Sequence, residues 1–383
     1  MDFDLSEEQR LLKDSVERLL ADHYAFEARK RYMSDPAGWS RELWKQYAEL
    51  GLLGLPFDER HGGFGGGPTE MMIVMEAFGR ALALEPFLAT VALGGGALRL
   101  GASEAQKSAL LPKVADGSLT LALAHTEPQS RYDLADVATT ARKEGAGYVL
   151  DGQKSVVLHG DSADKLLVSA RVSGAQRDRA GIGLFLVDAK AEGVSRRGYP
   201  TNDGLRAAEI SLANVRVGAD AAIGDPAAAL PLIEQVVDGA IAALAAEAVG
   251  AMAAMHALTV EYVRTRKQFG VAIGSFQVLQ HRAVDMLIAV EEARSMAMLA
   301  TMMAEEPNAA ERQKAISAAK TQIGRSARTV GQGAIQLHGG NGMTMEYQVG
   351  HYFKRITMID KMFGDADHHL ALLARSGGLI TAS

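Results

Sequence analysis

The sequence contains no cysteine among its 383 residues, which excludes disulfide bonds, thiolate metal sites, iron–sulfur clusters and cysteine nucleophiles. It also lacks a large excess of either charge, with a formal net charge of −6. Because no surplus of lysine and arginine is available to neutralise phosphates, a nucleic-acid-binding protein is not expected. The first residues, Met1-Asp2-Phe3-Asp4, are acidic and not apolar, so no signal peptide is predicted. We therefore expect a cytoplasmic enzyme or binding protein.

One long apolar run, residues 239–258, has the length needed to span a bilayer. It consists mainly of alanine and is interrupted by Glu247 and His256, so we predict a helix buried within a bundle and no membrane insertion. With 48% hydrophobic and 22% charged residues, the chain can form a sizeable core. Its length indicates two or three folding units.

The hydrophobic pattern divides the chain into three parts, 1–117, 118–226 and 227–383. The first part is helical, and Ser6 followed by Gln9 predicts a capping box at its start. The middle part alternates as β-strands do, and the Asp-Gly pair within residues 148–154 predicts a hairpin turn. Helical periodicity returns in the third part. We therefore predict an α+β protein, mostly α, in which a β domain separates two helical domains.

Two glycine-containing segments follow predicted helix ends in the third part. The first places Arg266 and Phe269 before Gly270, and a new helix begins near Phe276 and Gln277. Cations and a glycine are common at a helix C-terminus. However, a guanidinium beside the unpaired backbone amides at the start of the next helix also suits a pyrophosphate. The second, residues 336–342, contains three glycines, which permit either close approach of a ligand or a sharp turn.

Several further segments accompany these two in a definite order. They are Phe3-Asp4-Leu5-Ser6-Glu7-Glu8-Gln9, Leu50-Gly51-Leu52-Leu53-Gly54-Leu55-Pro56, Gly62-Gly63, Gly101-Ala102-Ser103-Glu104-Ala105-Gln106-Lys107, Thr126-Glu127-Pro128, Gly152-Gln153-Lys154, Arg266-Lys267-Gln268-Phe269-Gly270 with Phe276-Gln277, and Gln336-Leu337-His338-Gly339-Gly340-Asn341-Gly342. In this order and spacing the sequence resembles the acyl-CoA dehydrogenase family over essentially its whole length.

The resemblance implies an N-terminal helical bundle, a β-barrel-like middle domain and a C-terminal four-helix bundle. It also implies a FAD enzyme that converts an acyl-CoA thioester to the trans-2-enoyl-CoA, with a glutamate as base and the flavin as hydride acceptor. In this family the FAD lies across a subunit interface, and an electron-transfer flavoprotein or a similar acceptor takes the electrons. The cofactor-binding residues carried over are Thr126 in the middle domain, and Arg266, Phe269, Phe276, Gln277, Gln336, Gly339 and Gly340 in the C-terminal domain.

The sequence departs from the family at the catalytic base. The family's glutamate stands at either of two positions, which here hold Phe363 and Ala240, so no residue at a usual position is a carboxylate. Two weak candidates for a relocated base remain. Glu247 lies in an apolar helix, where burial would raise its pKa, although a structural pair with an arginine at the bundle surface is the favoured reading. Asp365 lies near Phe363, but its side chain is shorter and out of register.

The middle domain also departs from the family where the flavin ring would lie. Residues 129–133 read Gln-Ser-Arg-Tyr-Asp in place of a glycine-rich run. Val156 stands where the family usually has a tryptophan, and Leu158 stands where it has a threonine that reaches flavin N5. A hydrogen bond worth about 1 kcal/mol is therefore lost if a flavin binds there.

The residues that would serve a neighbour's FAD are present, whereas those for the chain's own flavin ring and base are lost. This contrast predicts the base-lacking subunit of a two-chain enzyme, paired with a related large subunit in a dimer of dimers. The region around residues 363–369 resembles the small subunit of the pimeloyl-CoA dehydrogenase type. The alternatives are a homomeric dehydrogenase with a relocated base, a flavin monooxygenase on the same fold and a non-catalytic scaffold. His338, His351, His368 and His369 lack metal-ligand spacing, so no metal site is predicted.

Overall fold

The computed structural model describes residues 5–377, so Met1 to Asp4, on which the signal-peptide prediction and the start of the resemblance rest, lie outside the described residues. The chain divides into two compact units. The helical unit consists of Met1–Arg31, Pro68–Ala83 and Ile241–Ser383, and the sheet unit consists of Tyr32–Gly67 and Leu84–Ala240. The three-part division proposed from the sequence stays a prediction.

Helices account for most of the described secondary structure. They are α1 (Glu7–His23), α2 (Phe26–Met33), α3 (Arg41–Glu49), α4 (Pro68–Ala81), α5 (Gly96–Gly101), α6 (Glu104–Ala115), α7 (Leu230–Thr265), α8 (Gln277–Met303), α9 (Ala309–His338), α10 (Gln348–Lys361) and α11 (Ala366–Arg375). The strands are β1 (Leu121–Ala124), β2 (Thr140–Glu144), β3 (Gly147–Leu158), β4 (Lys165–Arg171), β5 (Ile182–Asp188), β6 (Val194–Pro200), β7 (Arg206–Val217), β8 (Lys267–Gln268) and β9 (Val271–Ala272). This order of helices, strands and helices confirms the predicted fold class.

The sheet unit is built on one seven-stranded sheet in the order β1-β4-β2-β3-β7-β6, with β5 pairing with β4. β1 runs parallel to β4, whereas β3, β7 and β6 pair antiparallel. Alternate apolar residues of these strands form a buried core that includes Leu150, Leu166, Val168, Phe185 and Ile210. Burial of these side chains explains why the middle of the sequence shows strand rather than helix periodicity.

The hairpin predicted at Asp151-Gly152 is wrong, because β3 runs through both residues. The turn that joins β2 to β3 lies at Gly145, whose φ of +59° is the left-handed conformation a tight turn requires. At Gly152 a Cβ would lie 2.5 Å from the hydroxyl oxygen of Thr139. Glycine at this position therefore permits close packing inside a strand and does not form a turn.

In the helical unit, α1 begins with the predicted capping box. The backbone N–H of Gln9 donates to Ser6 Oγ at 3.2 Å, and the backbone N–H of Ser6 donates to Gln9 Oε1 at 3.0 Å. Further along, α4 and α7 contact each other through two glycines. A Cβ at Gly79 would lie 1.9 Å from the Glu247 carbonyl oxygen, and a Cβ at Gly250 would lie 1.9 Å from that of Glu76. Only glycine permits this approach of two helix backbones.

The long apolar run predicted as a buried helix forms most of α7. Among the described residues, α7 alone is long and apolar enough to cross a membrane by length and composition, and 89% of its most apolar window is buried within the protein. Burial on nearly all sides explains why the run carries no polar face.

Candidate functional site

Arg266 follows the last residue of α7 and stands at the start of a two-strand hairpin. Its backbone N–H donates to Tyr262 O at 2.8 Å, which continues the helical hydrogen bonding by one residue. β8 and β9 then pair, and both turn residues, Phe269 and Gly270, have positive φ values of +56° and +82°. This turn leaves the Phe269 ring 90% exposed, and Arg266 is exposed with no pairing partner for its guanidinium among the described residues. A side chain and a cation presented in this way are available to a ligand.

The start of α8 lies directly after this hairpin. Phe276 is the N-cap residue, 38% exposed, with its ring centroid 6.2 Å from that of Phe269. Gln277 is the first residue of α8 and is exposed. The first amides of a helix lack partners within the helix and carry partial positive charge, so they suit a phosphate group.

The glycine segment after α9, residues Gly339–Met343, has an open backbone at its first two residues. Gly339 has a φ of +58°, and a Cβ at either Gly339 or Gly340 would meet no atom within 4 Å. Gln336 lies on the last turn of α9 and is exposed. Gly339 and Gly340 therefore leave room for a ligand to contact the backbone, which is one of the two readings that the sequence left open. Gly342 does not, because it is buried and its Cβ would lie 3.1 Å from that of His338.

An aromatic cluster of Tyr262, His338 and Tyr347 joins the Arg266 end of α7 to this glycine segment. The His338 ring centroid lies 4.4 Å from that of Tyr262 and 5.1 Å from that of Tyr347. The amide of Asn341 donates to the Tyr262 hydroxyl at 3.2 Å. The structure therefore brings Arg266 and Gly339–Gly340, which are 73 residues apart or more in sequence, onto neighbouring elements of the helical unit.

The residues that would face a flavin ring lie in the sheet unit, around a bulge in β3. The pairing of β3 with β7 is interrupted between Lys154 and Val157, and Val156 at the bulge has a φ of +52° and is 48% exposed. The backbone N–H of Ser155 donates to Thr126 O at 2.9 Å, so Thr126 and Val156 lie on adjacent segments. Leu158 follows as the last residue of β3 and offers no hydrogen-bond donor from its side chain.

The Thr126 hydroxyl is already engaged by its neighbour. Its Oγ1 lies 3.1 Å from Nε2 of His125, and burial next to Lys154 lowers the pKa of His125 to about 4. His125 is therefore neutral at pH 7. Beneath these residues, the buried Lys154 amine donates to Glu127 Oε1 at 2.6 Å and to Ser169 Oγ at 2.9 Å. These bonds brace the segment internally and leave few donors for a bound group.

Phe363, at the usual position of the base, lies in the short loop between α10 and α11. Its φ is +58°, and its carbonyl oxygen accepts a hydrogen bond from Nε2 of His369 at 3.0 Å. His369 Nδ1 lies 3.1 Å from the Ser317 hydroxyl, and burial lowers the pKa of His369 to about 4. The loop is thus fixed by a buried neutral histidine, and its residue at the base position is an aromatic hydrocarbon.

Glu247, the first candidate for a relocated base, forms a buried ion pair. Its two carboxylate oxygens accept from Nε and Nη2 of Arg355 at 2.5 and 2.7 Å, and each side chain is only 5% exposed. The arginine partner agrees with the favoured reading, but the expected surface location is wrong, because both side chains lie in the core of the helical unit. With both oxygens bound to a guanidinium, this carboxylate has no free oxygen to face a substrate.

Asp365, the second candidate, is the N-cap residue of α11. One oxygen accepts from the His368 backbone N–H at 3.0 Å, and the other pairs with Lys361 at 3.0 Å. The cap bond and the lysine lower the pKa of Asp365. The remaining position, Ala240, is a buried alanine of α7 with no titratable group. Neither residue offers a base, so the described residues supply no free carboxylate at the positions considered from the sequence.

Three participants were missed by the sequence reasoning. Arg355 was not considered, because nothing local to α10 marks it as the partner of a residue 108 positions earlier. Tyr262 and Tyr347 were not considered either, although a tyrosine one turn before Arg266 is visible in the sequence. His338, His351, His368 and His369 were expected to bind no metal, and the described part of the chain contains no group of three or more metal-binding side chains.

The two sets of predicted cofactor residues differ in how well they fit FAD. The end of α7 has an unpaired guanidinium, the start of α8 has backbone amides without partners in the helix, and the end of α9 has an uncovered glycine backbone. Together these are the donors that a pyrophosphate and an adenosine require. At the β3 bulge, Val156 and Leu158 are apolar, and the Thr126 hydroxyl is engaged with His125. The residues present therefore fit the nucleotide part of FAD in one place and do not supply the expected donor to flavin N5 in the other.

Comparison with known proteins gives one family along the chain. Residues 6–118, 122–215 and 232–378 match the N-terminal, middle and C-terminal domains of acyl-CoA dehydrogenase, respectively. FadE12 of Mycobacterium tuberculosis, an acyl-CoA dehydrogenase, is 33% identical over 356 residues, covering 90% of this chain and 89% of its own.

Similar solved structures point to the same fold. A variant of the Tcur3481-Tcur3483 steroid ACAD has 30% identity and a TM-score of 0.87 over 97% of both chains. The ChsE4-ChsE5 complex from Mycobacterium tuberculosis has 25% identity and a TM-score of 0.89 over 100% of both chains. The FAD complex of PigA has 25% identity and a TM-score of 0.89 over 99% of this chain and 100% of that chain. This chain belongs to the acyl-CoA dehydrogenase family of oxidoreductases, with its FAD-dependent dehydrogenase fold.

Proposed function

We propose that this chain is the base-lacking subunit of a two-chain acyl-CoA dehydrogenase and completes the FAD site of its partner chain. The observation that carries the proposal is a contrast within the chain. Arg266 and Gly339–Gly340 are open to a ligand, whereas the base position holds Phe363. FAD, when bound, accepts a hydride from the β-carbon of the acyl-CoA, and the product is the trans-2-enoyl thioester.

In this proposal the helical unit contributes binding rather than proton transfer. Arg266 would pair with a phosphate oxygen of the partner's FAD, since its guanidinium has no partner among the described residues. The glycine backbone at Gly339–Gly340 and the exposed Gln336 would contact the adenosine end, and Phe269, Phe276 and Gln277 would line the approach. The base would come from the partner chain.

The surface of α8 supports an oligomer. Val278, Val284 and Ile288 are 63%, 54% and 52% exposed in the single chain, and Leu287 is 44% exposed. Val284, Leu287 and Ile288 lie on one side of α8, and exposed apolar side chains grouped in this way are typical of a surface that another chain covers.

Two of the similar solved structures support a partner of the same fold. Their names, Tcur3481-Tcur3483 and ChsE4-ChsE5, each join two proteins. By analogy we infer that this chain pairs with a related large subunit, in a dimer of dimers, and acts in the cytoplasm with an electron-transfer flavoprotein as acceptor. The substrate is an acyl-CoA thioester, and the resemblance around residues 363–369 favours the pimeloyl-CoA type, a dicarboxylic acyl chain.

The homomeric alternative requires Glu247 as the base, and the bidentate pair with Arg355 counts against that role. The flavin monooxygenase alternative needs an intact ring site in this chain, and the engaged Thr126 hydroxyl together with Leu158 counts against it. A scaffold without cofactor contact does not explain why Arg266 and Gly339–Gly340 are open to a ligand. The split site accounts for all three observations.

The first experiment is to purify the chain alone and with a co-expressed related chain, and to measure FAD per subunit from the visible spectrum. We expect a colourless chain alone and a yellow complex with less than one FAD per chain. One FAD per chain in the protein purified alone would contradict the split site. In the complex, Arg266→Ala should weaken FAD retention tenfold or more, since a charge-assisted hydrogen bond contributes about 1.5–3 kcal/mol. Arg264→Ala, an exposed arginine two residues away, is the matched control and should leave retention unchanged.

A further inference from the structure

The segment that joins α7 to α8 carries positive charge and no negative charge. Between Glu261 and Asp285 the sequence contains no aspartate or glutamate. The lysine and arginine residues of this stretch, which give it a formal charge of +4, are Arg264, Arg266, Lys267 and Arg282. The whole chain has a formal charge of −6, so the other residues together carry −10. Residues 262–284, the basic segment, are therefore opposite in sign to the rest of the chain.

The cations of the basic segment are available to another molecule. All four residues are exposed, and none of them forms an ion pair with another described residue. In the proposed function Arg266 alone is assigned to a phosphate of FAD, so the other three cations have no assigned counter-charge. Like charges close together repel one another, and an anionic partner removes this repulsion.

Hydrogen bonds hold the basic segment together at one end of the helical unit. Strands β8 and β9 pair with each other, and the backbone N–H of Ile273 donates to Arg266 O at 2.9 Å. In the first turn of α8, the side-chain amide of Gln280 donates to Gly274 O at 2.8 Å. The cations of the hairpin and of α8 are thus carried by elements that are bonded to each other.

Exposed apolar side chains lie among these cations. Phe269 is 90% exposed, Val271 is 43% exposed and Val278 is 63% exposed. Aromatic and apolar side chains beside arginine are typical of a surface that binds another protein. A nucleic-acid backbone would contact the cations without covering the two valines, and the net charge of −6 opposes a polyanion. The basic segment therefore fits a folded protein that offers both acidic and apolar groups.

We propose that the basic segment docks on an acidic surface of the related large subunit, and that attraction between the two surfaces accelerates assembly of the complex. This inference rests on the proposed function, because it assigns a surface chemistry to the chain whose FAD site is completed. The partner would present aspartate or glutamate side chains beside its cofactor site, together with apolar groups that cover Val271 and Val278. Attraction between charged surfaces acts mainly on the rate of association.

The first test measures the association rate constant of the two separately purified chains by stopped-flow fluorescence at increasing sodium chloride. Between about 0.01 and about 1 M ionic strength the Debye length falls from about 30 Å to about 3 Å. We therefore expect the rate constant to fall by a factor of about 10 to 100. A rate constant that does not change with salt would overturn the proposal, and this measurement requires no variant.

The second test reverses two charges that the proposed function does not assign to FAD. Lys267→Glu with Arg282→Glu lowers the formal charge of the basic segment from +4 to 0. It should slow association at low salt about tenfold and remove most of the salt dependence. The FAD content of the assembled complex should stay the same, because Arg266 is unchanged.

The matched control is Lys143→Glu with Lys190→Glu, at two exposed lysines of the sheet unit. It changes the net charge of the chain by the same amount and leaves the basic segment intact. Its association rate constant should stay within about twofold of that of the unsubstituted chain. Equal slowing in the two double variants would assign the effect to net charge and would overturn the docking surface.

The remaining outcomes separate this inference from the split site. If the complex retains FAD but assembles at the same rate with Lys267→Glu and Arg282→Glu, the split site stands and the docking surface is refuted. If the chain alone holds one FAD per subunit, the split site fails and this inference fails with it. Salt-dependent self-association of the chain alone would assign the basic segment to a second copy. Binding of duplex DNA that the double variant loses would assign it to nucleic acid, and either result would overturn the proposal.

Discussion

The cofactor segments at the ends of α7 and α9 differ from the ring and base positions in how their polar groups are used. At Arg266 and Gly339–Gly340, polar and backbone groups are exposed, unpaired or uncovered, although the local fold is tightly defined by caps and aromatic stacking. At Thr126, Phe363 and Glu247, every polar group considered is engaged within the chain. Exposed polar groups are hydrated and can exchange that water for a ligand, whereas internally paired groups stabilise the subunit itself.

The positions considered for a catalytic base are bound into the fold of the subunit. The carboxylate of Glu247 is satisfied by Arg355, and the loop carrying Phe363 is fastened by His369 and Ser317. Under the proposed function, the exposed groups of this subunit would bind the partner's cofactor. The predictions below test each side of the comparison, beginning with the largest expected effect.

The Glu247–Arg355 pair gives the largest expected effect. Glu247→Gln leaves a buried guanidinium without its counter-charge, so the free energy of unfolding should fall by about 3–5 kcal/mol, measured by urea denaturation. Turnover per folded complex should be unchanged. A double variant, Glu247→Leu with Arg355→Met, removes both charges and should recover most of the stability. If Glu247→Gln instead keeps its stability and loses turnover by orders of magnitude, Glu247 is the base.

The burial of His369, the residue that holds the Phe363 loop, predicts a pH dependence of stability. Above pH 6.5 the histidine is neutral in both the folded and unfolded states and contributes none. Below pH 6.5 the unfolded chain takes up a proton that the native state, with its pKa near 4, does not, so stability falls with falling pH. Between pH 6.5 and 5 the loss should be about 2 kcal/mol. In His369→Gln, the loss of unfolding free energy between these two pH values, measured by urea denaturation, should be smaller by that amount. An equal loss in the variant and the unsubstituted chain would refute the assignment.

The open glycine backbone should tolerate a side chain in the subunit but not in the loaded complex. Since a Cβ at Gly340 meets nothing within 4 Å, Gly340→Val should leave the thermal midpoint of the chain alone within a degree or two. It should weaken FAD retention in the complex about tenfold, because a branched side chain blocks the approach of the nucleotide to the backbone. Gly96→Val, another open glycine, is the control and should not affect FAD. A large loss of stability in Gly340→Val would show that the segment serves the fold.

Adding hydrogen-bond donors at the β3 bulge should make this region bind FAD more tightly, and so more like the segments at the ends of α7 and α9. Leu158→Thr combined with His125→Leu supplies one hydroxyl and releases that of Thr126. Each regained hydrogen bond contributes about 1 kcal/mol, so FAD affinity of the chain alone should rise tenfold or somewhat more, measured by flavin fluorescence quenching. Leu158→Val, which has the same branching as threonine without the hydroxyl, should give no gain. Equal gains in both variants would assign the effect to packing.

The smallest effect on turnover is expected at Phe363, which stands at the family's usual position for the base. Phe363→Ala should change turnover of the complex by less than twofold, because the side chain carries no proton to transfer. The comparison variant is the partner chain's own base, whose removal should cost several orders of magnitude. A large loss of turnover in Phe363→Ala, with FAD content preserved, would contradict the assignment of catalysis to the partner.

Much of the fold could be predicted because local pattern and global structure agree in this chain. The capping box at Ser6 and the apolar run of α7 were confirmed from periodicity and helix-end chemistry alone. The hairpin at Asp151-Gly152 was wrong because a glycine required by a close contact with Thr139 has the same local appearance as a turn glycine. Sequence alone does not distinguish the two uses, since the contact joins separate strands.

The sequence by itself determined which residue types stand at the cofactor and base positions. It placed Arg266, Gly339 and Gly340 in their motifs and put Phe363 where a carboxylate was expected, because these are properties of single positions. Only the tertiary structure decided what each polar group meets. The pairing of Glu247 with Arg355, and the contacts of His338 with Tyr262 and Tyr347, join residues from 9 to 108 positions apart. Hydrogen bonds and ion pairs act over a few ångströms in space, so the packing of helices, and not their order along the chain, sets which groups remain free for a ligand.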